Sequence, residues 1–492
     1  MNKFPVFRGG TIPMNKNGLI CVILLLALPL TGPGCSLAPE YKHPELPVAD
    51  VWPEGEAYKN NNAGKDEKTA ASIPWKAFFI NDQLQNVLEL ALSNNRDLRA
   101  ACLNIEKMQA LYRIQRSEQM PGLNALASES AQRIPESLSS TGDSMIARQY
   151  NLNVGISSYE LDFFGRIQSL KAKALEQFLA TEQARVSTQI SLVSEVAGTW
   201  LTLAADREKL KLANDTWQSQ QASYDMIKQR FNVGASSELD LRQAQTRMEA
   251  ARLDIARFTG KVAQDENALS LLLGCPVSKE FLPDDLKIID SENRTIRKLT
   301  PDMPSSILLN RPDVMAAENQ LKAVNANIGA ARAAFFPRIT LTGTYGTASD
   351  ELKTLFDDAP AWSFMPQITI PIFNAGRNRA NLKAAEIERD IAVANYEKTI
   401  QTAFREVADA LAQSGTVDDQ IEAQQALLEA TDESYRLSDM RYKKGIDSYL
   451  TVLDAQRSLY SAQQAMIDAR LLRLVNRVIM YRVLGGGGVS GE

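Results

Sequence analysis

Residues 441–456 read RYKKGIDSYLTVLDAQ, and residues 230–245 read RFNVGASSELDLRQAQ. An Arg, an aromatic residue, a Gly, a Ser, a Leu and an Ala-Gln pair recur at identical internal spacing. The offset is 211 residues, and it holds without a gap from Gly165-Arg166 paired with Gly376-Arg377, through Tyr224 with Tyr435, to Gly274 with Gly485. Upstream it becomes 216, matching Asp97 with Asp313, Ala110 with Ala326 and Pro121 with Pro337. The chain of 492 residues is thus read as two copies of one unit, 81–275 and 301–485, joined by a linker at 276–300. Each copy should supply the same elements to one structure.

Between Gly165 and Gly234 there is no proline, and Ala, Leu, Gln, Glu and Lys dominate, as they do between Gly376 and Gly445. One continuous helix of that length spans about 100 Å, more than a compact domain houses. Leu192, Val193, Val196, Ala197, Trp200, Leu201 and Leu203 fill more than one narrow stripe. That pattern asks for neighbours on two sides, a ring of helices rather than a pair. Gly234 and Gly445 then mark tight turns into a returning helix, because glycine takes the left-handed backbone that ends a helix.

Between Pro121 and Gly165, and between Pro337 and Gly376, the period changes to two. Ile339, Leu341, Gly343 and Tyr345 alternate with threonines; Trp362, Phe364, Ile368, Ile370 and Ile372 alternate with Ser363, Gln367 and Thr369; Leu152, Val154 and Ile156 repeat the pattern. Strands are expected at about 123–131, 149–162, 338–347 and 361–373, although the first alternates poorly and Pro366 interrupts the last. One apolar and one polar face is the pattern of a membrane β-barrel. A membrane sheet cannot leave open edges, and four strands cannot close, so the barrel must be shared in a cyclic oligomer.

Composition removes other functions. The net charge of −5 gives no surface for nucleic acid. His43 is the only histidine, which leaves no His/Cys/carboxylate metal cluster, no cofactor motif and no His-based catalysis. Cys102 and Cys275 read as buried thiols rather than a disulfide.

At the front, LICVILLLALPL (19–30) is too short to span a bilayer as a helix and follows Lys16, as in a signal peptide covering 1–34. The following TGPGCSLAPEY resembles a bacterial lipoprotein signal that lipidates Cys35, with Gly32 standing where a branched aliphatic is usual. Residues 35–80 form an extended strap, and 486–492 a flexible tail.

The motifs SLAPEYKHPELP, YELDFFGR, LNRPDVMAAE, AAFFPRITLTG and LTVLDAQRSLYSAQQ together resemble the outer-membrane factors of bacterial tripartite RND efflux systems, the TolC and OprM type, from about Cys35 to the end. The resemblance implies a mixed α+β membrane protein: a homotrimer with a twelve-stranded β-barrel continuous with a twelve-helix periplasmic α-barrel. It implies a passive duct for drugs and other small toxic compounds, with a periplasmic membrane-fusion adaptor and an inner-membrane RND-type transporter as partners and with no enzyme activity. It casts Leu450 and Asp454 as the periplasmic constriction. Tyr442 and Asp240 then belong to the bonding that keeps the tips shut, Arg457 is an ion-pair partner, and Asp447 replaces a latch arginine. The tips around Gly234 and Gly445 would dock the adaptor. A duct for polypeptide secretion, or a non-porous periplasmic coiled coil, are the alternatives.

Overall fold

The computed structural model describes residues 36–58, 73–140, 142–283, 285–291, 296–297, 304–357 and 360–486. The leader, Cys35 and the tail beyond Gly486 therefore lie outside the described residues. The principal elements are α1 (Asp82–Asn94), α2 (Arg96–Ser117), β1 (Leu123–Ile134), β2 (Met145–Leu161), α3 (Arg166–Asn232), α4 (Glu238–Leu273), α5 (Leu286–Ser291), α6 (Pro312–Ala333), β3 (Arg338–Ser349), β4 (Pro360–Thr369), α7 (Arg377–Lys443) and α8 (Tyr449–Val483). The order helix, two strands, long helix, shorter helix occurs twice. Both long helices, α3 and α7, contain 67 residues, as the proline-free stretches demand.

The chain divides into two compact units. The first gathers the described residues up to Glu40, with 114–172 and 325–386, and holds the sheet. All four strands are antiparallel in the order β1-β2-β3-β4, so β1 and β4 each keep an unpaired edge. Pro366 lies opposite Leu341 on β4, the edge strand of this sheet, a position that tolerates proline better than a central strand does. The apolar positions meet across the ladders: Tyr345 faces Val154 on one side and Trp362 on the other, and Gly343 faces Ile156 and Phe364. Between Ile156 and Tyr159 the register shifts, with Ser158 at φ 53°. This bulge inserts one residue and puts Tyr159 and Leu161 on the face that Val154 and Ile156 began. The strands are longer than expected at β1 and β2 and shorter at β4, where Ile370 and Ile372 fall beyond the ladder.

The second unit gathers the described residues within 41–113, 173–324 and 387–486. Its largest core joins α1, α3, α4 and α8: Leu84, Leu88, Trp200, Leu201, Leu269 and Leu273 are fully buried. Phe78 stacks on Tyr481 at 4.1 Å, and the Tyr481 hydroxyl donates to the Ile73 carbonyl at 2.9 Å. The apolar residues from Leu192 to Leu203 expected to need two sets of neighbours are all buried. A second core holds Val314, Leu321, Tyr396, Ile400 and Val407, against which Tyr41, Leu46, Val48 and Trp52 of the strap pack. Trp52 stacks on Phe404 at 4.9 Å, and His43 Nε2 lies 3.0 Å from the Tyr396 hydroxyl. Arg311 is buried at the start of α6, donating to Asp313, to Glu406 at 2.9 Å and to the Val483 carbonyl at 2.8 Å. Among the described residues the two cysteines are free, and neither is fully buried as expected: Cys275 is half-buried, and Cys102 is exposed on α2, where Leu98 is the one buried residue. Among the described residues no helix is long and apolar enough to cross a membrane.

Candidate functional site at the hairpin tips

The turns at Gly234 and Gly445 are built alike. Gly234 has φ 77° and Gly445 φ 73°, and each closes its long helix with a pair of bonds: Gly234 N to Phe231 O and Ala235 N to Arg230 O, then Gly445 N to Tyr442 O and Ile446 N to Arg441 O. These are Schellman closures, in which a left-handed residue lets the last carbonyls be satisfied. A small core of Ile227, Ala244, Tyr449, Val452 and Leu453 holds the two tips together, with Tyr224, Leu241, Tyr435 and Tyr442 around it.

Beyond those turns the copies diverge in chemistry. At the first tip, Ser237 caps α4: its hydroxyl accepts from Asp240 N at 3.1 Å, and the Asp240 carboxylate accepts from Ser237 N at 3.2 Å and from the hydroxyls of Ser237 and Ser236. Asp240 is thus spent on a capping box of its own helix rather than on a bond across helices. Burial raises the Asp240 carboxyl, but the Ser237 and Ser236 bonds and the Arg230 charge outweigh it and hold it below the usual carboxylate range.

At the second tip, Arg441 clasps Asp447 in two parallel bonds, which hold that carboxyl low. A bond between helices of different copies comes from Arg230, whose Nη1 donates to the Tyr442 hydroxyl at 3.0 Å while the guanidinium lies 5.7 Å from the ring centre. Tyr442 also packs on Tyr449, rings 5.2 Å apart, and burial pushes the Tyr449 hydroxyl up to about 12. Leu450 and Asp454 lie one turn apart on α8, both exposed in the single chain. Arg457 Nη2 stands 3.3 Å from Asp454 Oδ1, the ion pair expected from sequence. Arg230 and Arg441, equivalent arginines of the quoted repeat, supply tip bonds that the repeat alone does not reveal.

Two hairpins of strands, each followed by a 67-residue helix that ends at a charged turn, make this a chain of mixed helix and strand. The chain belongs to the outer membrane efflux protein family, whose pattern matches it twice, at 87–275 and 303–486. It is 48% identical to the solvent efflux pump outer membrane protein SrpC of Pseudomonas putida over 465 residues, 94% of this chain and 97% of that one. It is 47% identical to the antibiotic efflux pump outer membrane protein ArpC of Pseudomonas putida over 456 residues, 92% of this chain and 93% of that one. The Neisseria gonorrhoeae MtrE outer membrane channel, solved in its open state, superposes with a TM-score of 0.82 at 35% identity, covering 92% of this chain and 98% of that one. The chain is therefore an efflux protein of the outer membrane, in a family of transport proteins rather than enzymes.

Proposed function

We propose that the chain works as a homotrimer, a passive exit duct that takes drugs, solvents and other small toxic compounds from a periplasmic membrane-fusion adaptor and an inner-membrane RND-type transporter to the exterior. The observation that carries this reading is the four-stranded sheet with β1 and β4 open at either edge. A spanning sheet must satisfy every backbone group, and three such sheets joined edge to edge close a twelve-stranded barrel with no free edge. The same threefold axis makes a ring of twelve from the four helices α3, α4, α7 and α8 of each chain. A non-porous coiled coil has no use for the sheet. The efflux names of SrpC and ArpC favour small toxic compounds over polypeptides as cargo.

In this reading the strap begins at a lipidated Cys35 and carries the anchor, and the turns at Gly234 and Gly445 present the tips to the adaptor. Leu450 and Asp454 form two stacked rings on the axis. Three carboxylates at close range repel one another and favour cations, and Arg457 beside each one moderates that repulsion. Tyr442, held by Arg230, keeps neighbouring helices together, while Asp447 and Asp240 stiffen the two turns.

Single-channel recording of the mature protein in planar bilayers tests this reading. The expected result is a small, cation-preferring conductance that grows in a Leu450→Ala, Asp454→Ala double variant. Unchanged conductance in the variant would move the constriction elsewhere, and none in either protein would end the duct reading.

A further inference from the structure

The junction between sheet and long helices in the first unit contains a cavity of about 290 Å³ that the duct reading leaves unused. Three arginines reach it from three elements: Arg166 at the start of α3, Arg338 at the start of β3 and Arg377 at the start of α7. Two carboxylates, Glu160 and Asp162, oppose them. Phe164 and Phe336, stacked at 4.7 Å, and the rings of Pro337 and Pro371 complete the wall.

The internal duplication shows what is missing. In the first copy the arginine is neutralised from within: Arg166 Nε and Nη2 both donate to Glu160 at 2.8 Å, and Asp162 accepts from Gln168 N at 2.7 Å. At the 211-residue offset, Arg166 becomes Arg377, but Glu160 becomes Pro371 and Asp162 becomes Phe373. The second copy has kept the cation and lost both anions. Arg338 cannot be counted as fully spent either, since it gives Nε to Glu160 at 2.6 Å and keeps its two terminal nitrogens. Among the described residues, Arg377 has neither a hydrogen bond nor an ion pair from its side chain, although it lines a cavity.

A guanidinium fork matches phosphate oxygens in pairs, and two forks on one small cavity with apolar walls suit a phosphate group carrying an organic substituent. The volume fits a headgroup and is at the small end for a drug-sized molecule. Immediately beside the cavity, Ile372 and Phe373 are 95% and 88% exposed, an apolar ledge of the kind an acyl chain would cover. We infer that this cavity binds the phosphate group of a phospholipid headgroup, or free phosphate, with Arg377 and Arg338 as its ligands. The lipid source rests on the outer-membrane reading; the phosphate chemistry does not.

The test uses the purified full-length trimer in detergent, titrated calorimetrically with a short-chain phosphatidylglycerol and separately with inorganic phosphate. Wild type, Arg377→Gln and, as a control outside the cavity, Arg379→Gln are compared. Saturable binding of the lipid that Arg377→Gln weakens by roughly tenfold or more, with Arg379→Gln unaffected, is the expected result. Binding of inorganic phosphate with the same dependence on Arg377 supports the site with free phosphate as its occupant. Equal binding by all three proteins overturns it. So does Arg377→Gln lowering trimer Tm without altering either titration, since Arg377 would then be paired with a neighbouring copy. Conductance of the same preparations reports on the duct independently, so failure of the phosphate site is not mistaken for failure of the channel.

Discussion

Replacing Tyr442 by Phe removes one atom, the hydroxyl that accepts from Arg230 at 3.0 Å, and keeps the ring that packs on Tyr449. A hydrogen bond to a charged group is worth about 1.5–3 kcal/mol net. Arg230 is exposed and Tyr442 only half-buried, so solvent screening reduces that to about 0.5–1 kcal/mol per chain. If the tips of three chains open together, the differences add to about 1.5–3 kcal/mol, which shifts the ratio of open to closed channels by roughly tenfold to a hundredfold. Planar-bilayer recordings of open probability at low and high salt read this directly, and high salt should narrow the gap between wild type and Tyr442→Phe. A double-mutant cycle with Arg230→Met isolates the bond from other losses at either residue. Were Tyr442→Phe to raise open probability as much in the Arg230→Met background as in wild type, the two residues would be uncoupled and the reasoning wrong.

Two further predictions concern the body of the second unit. Arg311→Ala leaves the Asp313 and Glu406 carboxylates and the Val483 carbonyl without their shared donor, and should cost about 3–5 kcal/mol, read as a lower Tm; a loss under about 1 kcal/mol would show that water replaces the guanidinium. Burial, and then the neighbouring Asp206 charge, push the Asp265 carboxyl up to about 6 against the opposing pull of Lys261, in a cluster where Lys209 also bonds Asp468. A raised carboxyl contributes stability below its ordinary value near 4, and that contribution drains away as pH rises through about 6. Asp265→Asn should therefore raise Tm at about pH 8 and change it little at about pH 4, and the opposite ranking would put the charged form in a favourable site.

Much of this was legible in the chain. A proline-free stretch can be checked residue by residue, and both long helices begin and end where Gly165, Gly234, Gly376 and Gly445 said they would. Strand limits were less legible because a ladder is set by its partner: alternation continues through Ile370 and Ile372, but β3 starts at Arg338, opposite Thr369, so among the described residues the ladder stops there. The bulge before Tyr159 breaks the parity that alternation relies on, and Ser157-Ser158 is too weak a signal to announce it. At the tips the repeat pointed to the right places and concealed the partners. Arg230 and Arg441 are equivalent in sequence, yet one takes Tyr442 and the other Asp447, because the counterparts of those partners in the first copy are Phe231 and Ser236. The capping role of Asp240 could have been read from its spacing, three residues after Ser237.

The strap also sets a timetable. His43 meets Tyr396 across 353 residues of sequence, and Trp52 meets Phe404 across a similar span. Until the chain has been made as far as Phe404, the strap residues His43 and Trp52 have no partner to dock on. Docking of the strap is thus a late event that only a nearly finished chain can perform, and a truncated product would leave its front end undocked and open to proteases.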